Sequence, residues 1–232
     1  QLLRCLSSFL FLLSSFLCPY PAYASPWNIP APDLPARAFV LIEAQSGTEL
    51  AALNADARLP PASLTKLMTA YVLFGELRAG RLKLDEHITV SRYAARLPGA
   101  RMFLREGESV PVEDLFKGML VQSGNDATFA LIERASGTLP AFVARMNTVA
   151  TELGLANTHF ANATGLNNPQ HYSSARDLTR LAVAVQRDFP EYAGWFALPE
   201  YRWSGIAQPN RNPLLRDPGV DGLKTGHTEA AG

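Results

Sequence analysis

A serine and a lysine stand three residues apart in the segment Ser63-Leu64-Thr65-Lys66. The segment follows Pro60-Pro61, which favours a helix start, and apolar residues then recur at helical spacing toward Leu77. Side chains three positions apart share one face of a helix, so the hydroxyl and the amine can touch. A lysine desolvated in a cleft has a lowered pKa and can remove the serine proton. The spacing permits a nucleophile with its general base, but taken alone it favours the more common interpretation of such a serine as a helix cap.

Two further motifs supply polar groups later in the chain. Ser123-Gly124-Asn125 stands at the start of another predicted helix, and Lys224-Thr225-Gly226 lies on a predicted strand after a turn at Asp221-Gly222. Each motif alone has an ordinary interpretation, as a helix cap or as an exposed strand with a turn glycine. Ser-x-x-Lys, Ser-Asp-Asn and Lys-Thr-Gly nevertheless occur together in penicillin-binding proteins and class A β-lactamases, although Gly124 here replaces the aspartate. Their order on helix, loop and strand makes the three motifs strong joint evidence.

Loop segments extend the match beyond these motifs. The matching stretches are residues 61–66, 122–127, 157–160, 162–166 and 221–228. Through them the chain resembles, from about Ala38 to its last residue, the low-molecular-mass D-alanyl-D-alanine carboxypeptidases, which are penicillin-binding serine peptidases of the cell wall. Ser-Gly-Asn is that family's usual form of the second motif. The resemblance implies a serine-type carboxypeptidase that shortens peptidoglycan stem pentapeptides.

The resemblance also implies a role for each residue of the first two motifs. Ser63 would be the acylated nucleophile and Lys66 its general base. Asn125 would orient Lys66 and the substrate backbone. Ser123 would relay a proton to the departing D-alanine.

The third motif would bind the substrate. The resemblance implies that Lys224 sustains a positive field and that Thr225 helps bind the terminal carboxylate. Gly226 lets the substrate lie close to the strand, and the backbone amides of Ser63 and His227 would form the oxyanion hole. For the His227 side chain we favour packing or solvation beside the cleft over a catalytic role.

The implied reaction is acyl transfer to Ser63, followed by hydrolysis. A β-lactam would acylate the same serine and, if deacylation is slow, trap the enzyme. Three alternatives remain open: a D,D-endopeptidase with the same motifs, a β-lactamase of the same fold, and a non-catalytic module that binds the wall. A class A β-lactamase uses a loop glutamate for deacylation, and residues 157–172 contain no Asp or Glu.

The elements that must position these motifs follow from periodicity. Residues 38–44 predict a buried strand that a turn joins to a second strand over 49–53, and residues 85–90 predict a short strand. Helical spacing covers 112–120, 125–135 and 139–153, and a capping-box spacing at Ser174 and Asp177 opens a helix toward Phe189. Residues 154–172 predict a structured loop, whereas 195–218 are too interrupted by prolines for an assignment.

The predicted fold class is α/β (α+β) and, by resemblance, β-lactamase/transpeptidase-like. Such a fold has a central antiparallel sheet flanked by helices and a mostly helical lobe. The resemblance places further strands after Gly232, together with an arginine that binds the substrate carboxylate and an amphipathic segment for peripheral membrane association. We therefore expect the 232-residue chain alone to fold poorly and to have little activity.

The N-terminus has the pattern of an exported protein. One charge, Arg4, precedes an apolar run too short to span a bilayer comfortably, and Ala22-Tyr23-Ala24 offers small residues for cleavage before Ser25. We predict a signal peptide over 1–24, a Pro-rich leader over 25–36 and the catalytic domain over 37–232. The protein would be periplasmic or lie on the outer face of the cytoplasmic membrane.

Composition limits the other function classes. Hydrophobic residues make up 47% of the chain, which is enough for a core, and Lys+Arg and Asp+Glu both number 21. A net charge of zero gives no attraction to nucleic acid. The histidines lack the short spacing of a zinc site: His87, His159, His171 and His227. No metal or cofactor is predicted, because serine and lysine suffice for the chemistry.

Overall fold

The computed structural model describes residues 33–231, and within them residues from Pro35 onward form one compact unit. The predicted signal peptide and most of the Pro-rich leader lie outside the described residues. Among residues 33–231, no helix has both the length and the apolar character needed to cross a membrane.

Helices dominate the described chain. They are α1 (Thr65–Arg78), α2 (Arg92–Ala95), α3 (Val112–Leu120), α4 (Asn125–Ser136), α5 (Leu139–Glu152), α6 (Ala175–Asp188) and α7 (Ala193–Phe196). Three short 3₁₀ helices cover Ala62–Leu64, Pro190–Tyr192 and Pro213–Arg216. The strands are β1 (Phe39–Ile42), β2 (Glu49–Leu53), β3 (His87–Thr89), β4 (Ser109–Pro111), β5 (Glu200–Trp203) and β6 (Ile206–Pro209).

Helix α1 lies at the centre of the core, with α3, α4, α5 and α6 packed around it. Its Phe74 is fully buried and stacks on Phe116 and Tyr192, with ring centroids 5.3 and 4.5 Å away. Close aromatic pairs of this kind add to the free energy gained by burial. Apolar contacts therefore hold α1 against the helices around it.

A buried carboxylate fixes the loop that runs in front of α4. Asp126 accepts hydrogen bonds from the backbone amides of Met102 and Leu104, at 2.8 and 3.1 Å. The amide of Asn125 donates to the carbonyl of Ala100 at 2.7 Å. Charge-assisted bonds to a buried carboxylate are strong, so the loop is held against the N-terminus of α4.

The strands form three separate antiparallel pairs, β1-β2, β3-β4 and β5-β6. The predicted first hairpin is confirmed, with Phe39 opposite Leu53. The prediction that the first of these strands is buried is wrong, since Leu41 remains 53% exposed. The predicted central sheet is likewise represented within residues 33–231 only by two-stranded pairs, and 220–227 has no strand assignment. A strand needs a hydrogen-bonded partner along its edge, and none of the described strands pairs with that segment.

Most predicted helices are confirmed, and their caps explain their bounds. The α3, α4 and α5 ranges agree with the periodicity within two residues. The hydroxyl of Ser174 caps α6 by accepting a hydrogen bond from the amide of Asp177 at 3.2 Å, as the spacing predicted. One detail differs: Ser63 lies in the 3₁₀ turn before α1 rather than in its first α-helical turn.

Candidate active site

The amine of Lys66 is fully buried and lies among three oxygen atoms from different parts of the chain. It donates to Oδ1 of Asn125 at 2.7 Å and to the carbonyl of Thr164 at 2.8 Å, and it lies 3.2 Å from Oγ of Ser63. Burial and the charge of Lys224 hold the pKa of Lys66 well below its usual value, while Asp126 opposes this shift. The predicted serine-lysine contact is therefore present, and the neutral form of this amine is easier to reach than that of an exposed lysine.

The turn that carries Ser63 is held in an unusual backbone conformation. Ala62 has a φ of +47°, in the left-handed region, which costs a non-glycine residue roughly 1–3 kcal/mol. Two glycines approach this turn closely: a Cβ atom on Gly165 would lie 1.8 Å from the Ala62 carbonyl oxygen, and one on Gly226 would lie 3.0 Å from the Ser63 nitrogen. A side chain is therefore excluded at Gly165, whereas at Gly226 it would fit only if the turn moved by a few tenths of an ångström.

Ser123 does not cap a helix, so its ordinary interpretation is wrong. Gly124 is the N-cap of α4, and no side chain caps that end. Ser123 itself has a φ of +66° and is 5% exposed, and its Oγ has no hydrogen-bond partner within the described residues. Buried hydroxyls almost always have a partner. An unpaired hydroxyl held by a strained backbone beside a cavity is available to a ligand.

Lys224 is the second buried lysine of the site. Its amine donates to the carbonyl of Thr225 at 2.8 Å. Burial, with a smaller contribution from the charge of Arg211, lowers the pKa of Lys224 to about 7.

A cavity of about 650 Å³ brings the three motifs together. Most predicted site residues line it: Ser63, Ser123, Asn125, Thr225, Gly226 and His227. Lys66 and Lys224 do not reach its wall, because both side chains are buried behind it. The cavity is thus lined by hydroxyl, amide and backbone groups, with two amines placed behind them.

Sequence reasoning missed two contributors to this site. Arg211 lines the cavity, with its Nε donating to Oε1 of Gln122 at 3.1 Å, but it stands in the proline-rich stretch that gave no assignment. The Thr164 carbonyl binds Lys66, and a backbone carbonyl leaves no trace in residue type. Its membership of the matching loop 162–166 was the only available signal. Within residues 33–231, no group of three or more potential metal ligands occurs.

Known protein families and curated proteins include clear matches to this chain. The family model for D-alanyl-D-alanine carboxypeptidases matches residues 26–232. The carboxypeptidase DacC of Escherichia coli strain K12 is 42% identical over 234 residues, which cover 97% of this chain and 57% of that protein. DacA of the same strain is 43% identical over 209 residues, covering 87% and 52%. The chain therefore spans just over half the length of these curated relatives.

Solved structures give the same result for the fold. Penicillin-binding protein 5 from Haemophilus influenzae matches with a TM-score of 0.82 and 42% identity, over 85% of this chain and 59% of that one. Penicillin-binding protein D2 from Listeria monocytogenes, solved in its ampicillin-bound form, matches with a TM-score of 0.77 and 32% identity, over 87% and 83%. These likenesses confirm the predicted fold class.

Proposed function

Because the chain belongs to the D-alanyl-D-alanine carboxypeptidase family, we propose that it removes the terminal D-alanine from peptidoglycan stem pentapeptides through an acyl-enzyme on Ser63. The observation that carries the proposal is the buried amine of Lys66, 3.2 Å from the hydroxyl oxygen of Ser63. Burying an amine is costly, and a lysine so placed serves as a base because its neutral form is favoured.

The first half-reaction is acylation. A neutral Lys66 amine has two N–H groups, which the Asn125 and Thr164 oxygens accept, and one lone pair that faces Ser63. The lone pair takes the hydroxyl proton while Oγ of Ser63 forms a bond to the carbonyl carbon of the penultimate D-alanine. The C–N bond then breaks, and the proton passes from Lys66 through Ser123 to the departing amine. Water later cleaves the ester and releases the shortened peptide.

The substrate carboxylate meets the cationic side of the cavity. Thr225 supplies a hydroxyl, and Lys224 and Arg211 supply positive charge. A bound carboxylate favours the charged form of Lys224 and so opposes the lowering of its pKa by burial. Binding of the correct terminus therefore strengthens the field that acts on the developing oxyanion.

We assign the oxyanion hole to the backbone amides of Ser63 and His227. Gly226 supports this assignment, because its backbone packs directly against the turn that holds Ser63. Backbone amides fixed in this way stabilise a developing negative charge without having to reorganise.

The geometry favours the peptidase over the β-lactamase alternative. Among the described residues that line the cavity, none is Asp or Glu, so no carboxylate there is placed to activate water against a β-lactam ester. We infer that β-lactams act as inhibitors. We further propose that residues 1–24 direct export and that residues 25–36 form the leader before a domain beginning at 37. The enzyme would act on the wall from the periplasm or from the outer face of the cytoplasmic membrane.

Release of D-alanine from a peptide ending in D-Ala-D-Ala tests the function. The protein should release D-alanine, and the Ser63→Ala substitution should abolish this release. Ser123→Ala should slow the release by about 10²-fold or more, because that is the typical contribution of a proton-transfer group to the rate. Ser136→Ala is the matched control, since its Oγ is also buried and unpaired but lies away from the cavity. Equal loss in Ser123→Ala and Ser136→Ala, or release by Ser63→Ala, would contradict the proposal.

A further inference from the structure

We propose that His171 is a positioning residue for acylation: through the hydroxyl of Thr65 it fixes the carbonyl of Ala62, and so the turn that presents Ser63. The inference rests on the proposed function, because it concerns the rate at which Ser63 is acylated. His171 lies on the loop before α6 and does not line the cavity. Its effect on the reaction would therefore be indirect.

A continuous chain of hydrogen bonds connects the imidazole to the turn. Nε2 of His171 lies 2.7 Å from Oγ1 of Thr65, and that hydroxyl lies 2.7 Å from the carbonyl oxygen of Ala62. On the other side of the ring, the amide of Ala161 donates to Nδ1 at 3.0 Å. This series of hydrogen bonds joins the loop of His171, the first turn of α1 and Ala62, the residue directly before the nucleophile.

The hydrogen bonds run in one direction, which assigns the tautomer. A backbone amide can only donate, so Nδ1 accepts and the proton of a neutral ring resides on Nε2. Nε2–H then donates to Thr65, whose hydroxyl donates to Ala62. Burial, with a smaller contribution from His159, lowers the pKa of His171 to about 4, so the ring is neutral at physiological pH.

The Ala62 carbonyl has three contacts. It accepts hydrogen bonds from the hydroxyl and from the backbone amide of Thr65, and the backbone of Gly165 packs against it. Because Ala62 is in the left-handed region, loss of the hydroxyl or of the Gly165 contact would weaken the restraint that keeps its peptide from relaxing toward an ordinary conformation. Such a rotation would move Ser63 relative to the amine of Lys66.

The histidine cannot follow such a movement, because its own segment is fixed. Tyr172 donates through its amide to the carbonyl of His159 at 3.0 Å, and Ser173 donates to the carbonyl of Leu59 at 3.0 Å. The ring is 4% exposed and packs against Phe160 with centroids 5.8 Å apart. A satisfied buried histidine is often only a packing residue. This one differs because its hydrogen bonds end at the backbone that carries the nucleophile.

Two pairs of matched variants separate positioning from packing. His171→Asn keeps an acceptor near Nδ1 but loses the donor to Thr65, whereas His171→Gln keeps a donor near Nε2. Thr65→Val removes the hydroxyl at constant shape, and Thr65→Ser keeps it. The measurement is the acylation rate constant of each variant at saturating penicillin, normalised to the amount of folded protein. The melting temperature is recorded in parallel.

Positioning predicts a defined pattern. His171→Asn and Thr65→Val should each slow acylation by about 10-fold to 100-fold, because a small misplacement of a nucleophile costs that much. The half-saturating penicillin concentration should be unchanged, and His171→Gln and Thr65→Ser should recover most of the rate. The double variant His171→Asn, Thr65→Val should be no slower than the slower single variant, because both changes break the same series of hydrogen bonds.

Other outcomes overturn specific statements. Wild-type acylation by His171→Asn with a lowered melting temperature would show a packing role only and would overturn the proposal. If His171→Asn does not fold, equal rates for Thr65→Val and Thr65→Ser would overturn it instead. Failure of the wild-type protein to be acylated would refute the proposed function itself, which these variants do not decide.

Discussion

Two buried lysines approach the same cavity, and the chain holds them in different ways. Lys66 is on the central helix, is fully buried, and binds oxygens from three separate segments. Lys224 is on an extended segment outside the described strands, is 9% exposed, and donates to the carbonyl of its own neighbour. The helical core therefore positions the first lysine, whereas local chain geometry positions the second.

The difference separates a base from a source of charge. Both lysines have lowered pKa values because both are buried, and the charges act in sequence: Arg211 lowers the pKa of Lys224, and Lys224 lowers the pKa of Lys66. A base needs a fixed lone pair aimed at one hydroxyl, which the core provides. A field needs only a nearby charge, which a less constrained segment can supply.

Among changes that leave Ser63 and both lysines in place, the largest effect should come from a substitution at Gly165, beside the turn that carries Ser63. In Gly165→Ala the new Cβ would lie 1.8 Å from the Ala62 carbonyl oxygen, at a φ of +89°. Overpacking against backbone costs typically about 1–3 kcal/mol, and displacement of the nucleophile should reduce acylation by about 10²-fold or more. Thermal unfolding and the penicillin acylation rate measure the two consequences.

Gly194→Ala is the matched control for this variant. Gly194 lies in helix α7, has no atom within 4 Å of its potential Cβ, and does not have a positive φ. Its substitution should leave acylation unchanged and unfolding unchanged or slightly improved. If Gly165→Ala were acylated at the wild-type rate, the turn carrying Ser63 would not be held between the backbones of Gly165 and Gly226.

A smaller effect should come from Lys224, where charge rather than position is required. In the free enzyme, Lys224 must be charged, so kcat/KM should fall as pH rises through its pKa of about 7. Lys66 must be neutral, so kcat/KM should also fall as pH decreases through the lowered pKa of Lys66. The pH profile of D-alanine release should be bell-shaped.

Two substitutions at Lys224 sharpen this prediction. Lys224→Arg keeps the charge at all relevant pH values, so the fall above pH 7 should disappear. Lys224→Gln removes the charge, which should move the acidic limb to higher pH and lower kcat/KM at neutral pH on the order of 10-fold. An alkaline limb that persists in Lys224→Arg would assign that limb to another group.

The sequence predicts the regions of regular periodicity well. Helices α3, α4 and α5 repeat apolar residues at helical spacing because one face of each packs on the core, and their bounds agree with the structure. The pairing of Ser63 with Lys66 was predictable for the same reason. The hairpin of β5 and β6 was not, since prolines and polar residues hide its alternation.

The remaining parts of the site depend on contacts that residue types do not encode. The carbonyl of Thr164 reaches Lys66 from a distant loop, and any residue has a carbonyl. The left-handed backbone of Ser123 is a tertiary effect, because serine alone favours a cap at that position. Arg211 enters the cavity because its segment packs beside Gln122, a contact between parts of the chain far apart in sequence.

The central claim is that a neutral Lys66 activates Ser63. Intact-mass spectrometry of the protein after brief exposure to penicillin tests this claim directly. Wild-type protein should gain one penicillin within seconds, and Ser63→Ala should gain none. Lys66→Arg is the decisive variant, because arginine stays protonated and therefore cannot accept the proton of the serine hydroxyl. We predict that Lys66→Arg folds but forms no adduct in this time, because its acylation rate falls by about 10²-fold to 10⁴-fold. An adduct on Ser63 formed by Lys66→Arg at the wild-type rate would contradict the account.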